Sequence, residues 1–393
     1  MKIAMVFDGL QVGGIERVGT DYARLMNQLG HEVTIFNLVP SLTDMERELP
    51  GSCKVVHINF PRKMAPELYS KLIKRSFVFK CAYPIAYGII TVADTIYKFI
   101  LCKKKKFQER YDIVIAFSGH YNDLTFVALD FLKTSKKMCW LHGAIYGYAL
   151  ISDGFLNLYN KIKNLIVLVD IFQNEVLVSN KQLSLNINKI YNPSFIADKA
   201  INNNKVEILK KKYGSFLIMV GRITKDKDQL TLIKALEYIR RKYKFNKKLV
   251  LVGDGEKRAG LEKYVKSHGL ENTVFFEGNQ NDVQNYYKAA YLFVHSSPLE
   301  GLPTTLIEAL YFSLPIVATD SLPGVREIIE NNTYGIVTPV GDCNMMGEAI
   351  YKMYQDKELY ENYKKKSIKK FKEFSPETIK EQLKSILTEY KLL

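Results

Sequence analysis

Short, nearly continuous apolar runs alternate with longer amphipathic ones along most of this chain. In the first half, residues 2–7, 32–38, 55–60, 112–117, 137–142, 165–169 and 188–192 are predicted as strands, and 16–29 as a helix. The pattern restarts further on. Residues 216–220, 248–252, 273–277, 292–295, 315–318 and 335–338 are predicted strands; 227–243, 258–268, 283–290, 305–312 and 325–330 are predicted helices. Apolar strands separated by helices indicate parallel sheets covered on both faces. Between the halves, Asn202-Asn203-Asn204-Lys205 and Lys210-Lys211-Lys212 read as a linker. Residues 376–393 are predicted as an amphipathic helix with Ile379, Leu383, Ile386, Leu387 and Tyr390 on one side. The expected organisation is α/β: a domain over 1–195, a second over 196–375, two doubly wound Rossmann-like folds facing a cleft, with the last helix returning to the first domain. No sequence repeat relates the halves.

Length agrees with two domains, since 393 residues are long for one. Five scattered cysteines without a C-x-x-C pair indicate reduced thiols in a cytoplasmic setting, not a disulfide framework or a zinc site. The first apolar run is too short for a signal peptide. A net charge of +15 favours anionic partners. That charge is uneven. Residues 62–106 carry many lysines and arginines, including Lys103-Lys104-Lys105-Lys106, against Glu67 and Asp94 alone, with aromatic residues interleaved. Such a stretch suits an anionic membrane surface; core helices with a solvated lysine face are the other reading. It does not suit a span, because its longest uncharged run covers 13 residues, 81–93, and a span needs about 20. No nucleic-acid-binding motif accompanies the charge, so nucleic acid is not an expected partner.

The richest segment is Glu300-Gly301-Leu302-Pro303-Thr304-Thr305-Leu306-Ile307-Glu308, which follows a predicted strand and opens a predicted helix. A helix start offers unpaired N–H groups and a positive dipole end to a phosphate. Two carboxylates there suit a ligand that also carries hydroxyls, which points to a nucleotide sugar. Thr305 and Glu308 also fit a capping box, in which case Glu308 only caps. Gly221-Arg222, followed by Lys227, places two cations after a strand; Arg offers a planar fork and Lys a point charge to one anion. Gly13-Gly14 follows the first strand, either for close ligand approach or as a tight turn. Gly253 and Gly278 end strands and either present backbone to a base or simply turn. His142, in Trp140-Leu141-His142-Gly143, ends a strand where ligands bind in doubly wound sheets, and is otherwise structural. His120 is a similar, weaker candidate.

Together these residues resemble the family-4 retaining glycosyltransferases of the GT-B fold. The resemblance is carried by Gly13-Gly14-Ile15-Glu16, Gly221-Arg222 with Lys227, the Glu300 to Glu308 E-x7-E segment, Asp320 with Pro323-Gly324-Val325-Arg326-Glu327, and Asn192-Pro193. It implies that Arg222 and Lys227 neutralise a donor diphosphate, Glu308 binds ribose hydroxyls and Glu300 the donor sugar. It implies also that Leu302, Thr304 and Thr305 give backbone N–H groups to phosphate, that Gly14 closes over the diphosphate or sugar, and that His142 lies on the acceptor side. Leu322-Pro323-Gly324 departs from the double glycine common in that family.

The expectation is therefore a metal-independent, retaining transferase without a cofactor. It would move a hexose or N-acetylhexosamine from a UDP-sugar to a polyprenyl-diphosphate-linked saccharide, in capsule or other surface polysaccharide assembly, peripherally on the inner face of a bacterial cell membrane. The alternatives are a nucleotide-sugar epimerase of the same fold and a non-catalytic saccharide-binding partner subunit.

Overall fold

The computed structural model describes residues 1–60, 76–104, 107–143, 154–170 and 185–392. The chain divides into two compact units, Met1–Pro193 with Ile379–Leu393, and Ser194–Thr378.

In the first unit the strands are β1 (Lys2–Phe7), β2 (Glu32–Asn37), β3 (Lys54–His57), β4 (Arg110–Tyr111), β5 (Ile113–Ala116), β6 (Lys133–Thr134), β7 (Lys137–Leu141), β8 (Asn164–Val167) and β9 (Asn186–Lys189). The helices described between them are α1 (Gly14–Gln28), α2 (Phe77–Cys102), α3 (Tyr121–Ala128) and α4 (Gly154–Ile162). Seven strands form one sheet in the order β3-β2-β1-β5-β7-β8-β9, and β4 pairs only with β6. Every pairing is parallel, with Met5 opposite Ile35 on one side and Ile115 on the other. Ile3 to Phe7 are fully buried, as a central strand covered on both faces requires. Helix α1 buries Val18, Tyr22, Leu25 and Met26 at helical spacing. It lies so close to β1 that a Cβ at Gly19 would fall 2.3 Å from the Phe7 ring.

The second unit repeats the scheme with β10 (Phe216–Val220), β11 (Lys248–Val252), β12 (Val274–Gly278), β13 (Leu292–His295), β14 (Ile316–Thr319) and β15 (Ile336–Thr338). Its helices are α5 (Asn203–Tyr213), α6 (Gln229–Tyr243), α7 (Arg258–Ser267), α8 (Val283–Ala289), α9 (Thr304–Tyr311), α10 (Gly324–Ile329), α11 (Cys343–Gln355) and α12 (Lys357–Phe371). The sheet order is β12-β11-β10-β13-β14-β15, again all parallel. Helices α6 and α11 pack closely; a Cβ at Gly347 would stand 2.8 Å from Ile239 Cγ2. Helix α13 (Pro376–Leu392) closes the chain.

One expectation fails. The polar stretch read as a linker is helix α5. The Asn202 side chain caps it, accepting from Lys205 N at 3.1 Å, and Val206, Leu209 and Tyr213 are buried on one face. Lys210, Lys211 and Lys212 occupy its last turn, where the helix dipole favours cations. Three apolar positions at helical spacing are enough to dock an otherwise polar segment. Residues 62–75, 105 and 106 of the basic stretch lie outside the described residues.

Candidate functional site

Each sheet places its first strand in the middle, with the second and third on one side and the fourth onward on the other. Loops leaving the carboxyl ends of the two central strands diverge there, and this is where open parallel sheets bind ligands. In the second unit those strands are β10 and β13, and the loops following them carry Arg222, Lys227 and Glu300.

The loop after β10 is held by its backbone. Gly221 N donates to Val252 O at 3.0 Å and Ile223 N to Asp254 O at 2.9 Å. Gly253 makes this approach possible: its φ is +136°, and a Cβ there would lie 2.0 Å from Gly221 O. Two side chains tie down the carbonyls of the cationic residues. Gln229 Nε2 donates to Arg222 O at 2.8 Å and Ser296 Oγ to Lys227 O at 3.1 Å. The Arg222 side chain itself projects, 75% exposed, with Asp226 Oδ2 at 3.5 Å.

Lys227 points to the loop after β13. Its Nζ lies 2.5 Å from Glu300 Oε1, and His295 Nε2 lies 3.2 Å from the same oxygen. Burial alone would raise the pKa of Glu300, but His295 and Lys227 outweigh it and hold the carboxyl down to about 2. Glu300 is therefore an acceptor-only carboxylate at any ordinary pH. His295 was not singled out from sequence. It ends β13, is almost wholly buried, and neither ring nitrogen has a hydrogen bond among the described residues. The available signal was its position as the last residue of a central strand.

A second segment props up Glu300. Gly324 N donates to Glu300 O at 3.1 Å, and a Cβ at Gly324 would lie 2.2 Å from Gly301 O. Asp320 and Arg326 pair across the same turn at 2.7 Å. Helix α9 opens at Thr304 behind Pro303, which provides no side-chain cap, so the N–H groups of Thr304 and Thr305 have no intrahelical acceptor. Leu302 is buried just before them. Glu308 lies one turn into α9, 5% exposed, and accepts from Tyr287 Oη at 2.9 Å. The capping box read as one alternative for Thr305 and Glu308 does not form, because Pro303 is the N-cap and Thr305 is already the second helical residue. Gly253 and Gly278 come together and pair with each other, Gly253 N donating to Gly278 O at 2.8 Å.

The corresponding place in the first unit lies after β1 and β5. Gly13 caps α1 in extended conformation and Gly14 begins it; a Cβ at Gly14 would meet nothing within 4 Å. Asp8 N donates to Ser118 Oγ at 2.9 Å, and Asp8 accepts from Asn122 Nδ2 at 3.1 Å with His120 Nδ1 at 3.5 Å. Asp123 accepts from Gly119 N and His120 N at 2.9 and 2.8 Å. Burial nevertheless raises Asp123 to about 8, His120 opposing and Asp8 adding to the rise. His142 sits at the end of β7 with Nε2 donating to Phe117 O at 2.7 Å, and burial lowers it to about 4. It is a neutral imidazole whose Nδ1 has no partner among the described residues. This polar network is tighter than the sequence suggested, and Asp8 and Asp123 were not foreseen.

Among the described residues, no cluster of three or more His, Cys, Asp or Glu is placed to hold a metal ion, and no helix is long and apolar enough to cross a membrane.

Residues 200–370 match the family model described as Glycosyl transferases group 1. An uncharacterised glycosyltransferase of Methanocaldococcus jannaschii is 30% identical over 264 residues, 58% of this chain and 63% of the relative. In Campylobacter jejuni, the GalNAc-alpha-(1->4)-GalNAc-alpha-(1->3)-diNAcBac-PP-undecaprenol alpha-1,4-N-acetyl-D-galactosaminyltransferase is 30% identical over 181 residues, 45% of this chain and 49% of the relative. The matches thus span roughly half to under two thirds of these two relatives. The amylovoran biosynthesis glycosyltransferase AmsD of Erwinia amylovora matches over 98% of this chain and 99% of its own length, at 24% identity. Among solved structures, Alr3699/HepE of Anabaena in complex with UDP-glucose superposes with a TM-score of 0.73 at 20% identity, covering 99% of this chain and 100% of the other. That likeness establishes the GT-B fold.

Proposed function

For a chain whose second unit is a glycosyl transferases group 1 module on a GT-B fold, we propose transfer of a hexose or N-acetylhexosamine from a UDP-sugar to a lipid-linked saccharide. The transfer retains anomeric configuration, needs no metal, and serves surface polysaccharide assembly at the inner face of the cell membrane. The observation that carries this reading is the contact of Lys227 with Glu300 at the β10/β13 switch point, with exposed Arg222 on the same loop as Lys227. UDP is supported by the Anabaena neighbour's ligand, and the acceptor class by the activity for which the C. jejuni relative is named.

The chemistry follows from charge. When the bond between the sugar's anomeric carbon and the diphosphate oxygen breaks, negative charge gathers on the departing diphosphate and positive charge on the ring. Arg222, Lys227 and the N–H groups of Leu302, Thr304 and Thr305 stabilise the diphosphate where that charge develops. Glu300, held ionised, accepts from donor-sugar hydroxyls, and Glu308 from those of the ribose. The acceptor hydroxyl forms the new bond on the face the diphosphate leaves and passes its proton to a phosphate oxygen. Gly14 leaves room for the diphosphate or sugar, and neutral His142 offers Nδ1 as an acceptor on the saccharide side.

Calorimetric titration with UDP-, GDP- and ADP-sugars, followed by product analysis with an undecaprenyl-diphosphate-linked saccharide, tests the reading. Tight binding of one UDP-sugar and an α-linked product from an α-linked donor are expected. Failure to bind any nucleoside diphosphate would overturn it.

A further inference from the structure

Helix α2 carries an exposed apolar face. Its C-terminal part is pinned to the first unit: Tyr97 Oη donates to Asn59 O at 2.7 Å, Lys98 Nζ donates to Leu129 O, and Leu101 is buried. The other side carries Ile85, Ile89, Val92, Ile96 and Phe99, spaced as one stripe, each between 57% and 70% exposed. More than half of the large apolar side chains exposed among the described residues lie on this helix. A stripe of this size marks an interaction surface.

We propose that α2 lies in the plane of an anionic lipid surface, its stripe set into the acyl boundary. Charge chooses this occupant. Lys71, Lys74 and Arg75 precede the helix in sequence and Lys103 to Lys106 follow it, while only Lys80, Asp94 and Lys98 are charged within 76–102. Lys103 is exposed and stands over the Phe99 ring at 4.3 Å, at the polar edge of the stripe. Cations at both ends of an apolar helix suit anionic headgroups. Pairing with a second copy sets like charge against like charge in either orientation. At about 1.5 Å per residue, 26 residues make a helix about 39 Å long, ample contact for in-plane docking. This docking is independent of donor chemistry, so either can fail alone.

The test is co-sedimentation of the full chain with phosphatidylcholine vesicles, with and without phosphatidylglycerol, in the absence of donor. Preferential binding to the anionic vesicles is expected. Ile89→Glu with Val92→Glu, and separately Lys103→Glu with Lys104→Glu, should each weaken it about tenfold. Both pairs change exposed side chains, so melting curves should match the parent. Binding unaffected by either pair, or indifferent to phosphatidylglycerol, overturns the proposal. So does a dimer in light scattering that the Ile89/Val92 pair dissolves.

Discussion

The β1/β5 and β10/β13 switch points have the same topology and opposite electrostatics. After β10 and β13, Lys227 and His295 hold Glu300 ionised, down to about 2, and Arg222 projects into solvent. After β1 and β5, burial keeps Asp123 protonated up to about 8 and His142 neutral down to about 4. Sheet order supplies the crevice in both; the residues at the strand ends decide whether a carboxylate is held ionised there, as Glu300 is, or kept protonated by burial, as Asp123 is. Under the proposed function this contrast divides the labour. In that reading Lys227 and Arg222 take the diphosphate, and neutral His142 takes the saccharide.

The largest effect that would break this division concerns the cations. Arg222→Ala and Lys227→Ala should each lower kcat/KM about a hundredfold in steady-state assays. Activity near the parent level in both would remove the donor assignment from the second unit. His142→Ala should cost about tenfold, seen mainly in the dependence on acceptor; an equal effect on donor KM would erase the contrast. Glu308→Ala should raise donor KM about tenfold while sparing kcat, because ribose contacts change little in the transition state.

The smallest effects are on stability against pH, and they have opposite signs in the two places. Glu300 has a folded value of about 2 against an ordinary 4.5. The unfolded chain binds its proton first, so the contribution of Glu300 is full above 4.5 and is lost as pH falls towards 2. Asp123 has a folded value of about 8 against 3.8. The folded chain holds that proton longer, so stability falls as pH rises from about 4 to 8. Glu300→Gln should flatten the melting profile on the acid side, and Asp123→Asn should flatten it between about 4 and 8. Melting curves of both variants from about pH 2 to pH 8 are the check.

The strands were legible because a doubly covered parallel strand must be apolar throughout: residues 216–220, 248–252 and 292–295 coincide with β10, β11 and β13. Much of the switch-point chemistry was legible too, since Arg222, Lys227 and Glu300 fall within loops that follow those strands. Helix α5 was not, because three buried residues among lysines and asparagines give a weak pattern until a partner surface exists. His295 and Asp8 escaped notice for a related reason. Their meaning comes from partners far along the chain, such as Asn122 for Asp8, and no local spacing announces them. The stripe on α2 was visible only as composition; which face is covered depends on where Tyr97 and Leu101 dock.

The contact between Lys227 and Glu300 sets a condition on whatever anion arrives. A lone phosphate finds an ammonium already neutralised, and taking it would strand a buried carboxylate. A molecule that brings hydroxyls together with its anion can claim the lysine and give the carboxylate new donors in the same move. Under the proposed function, the resting pair therefore disfavours an anion that comes without hydroxyl donors and favours one that carries a sugar.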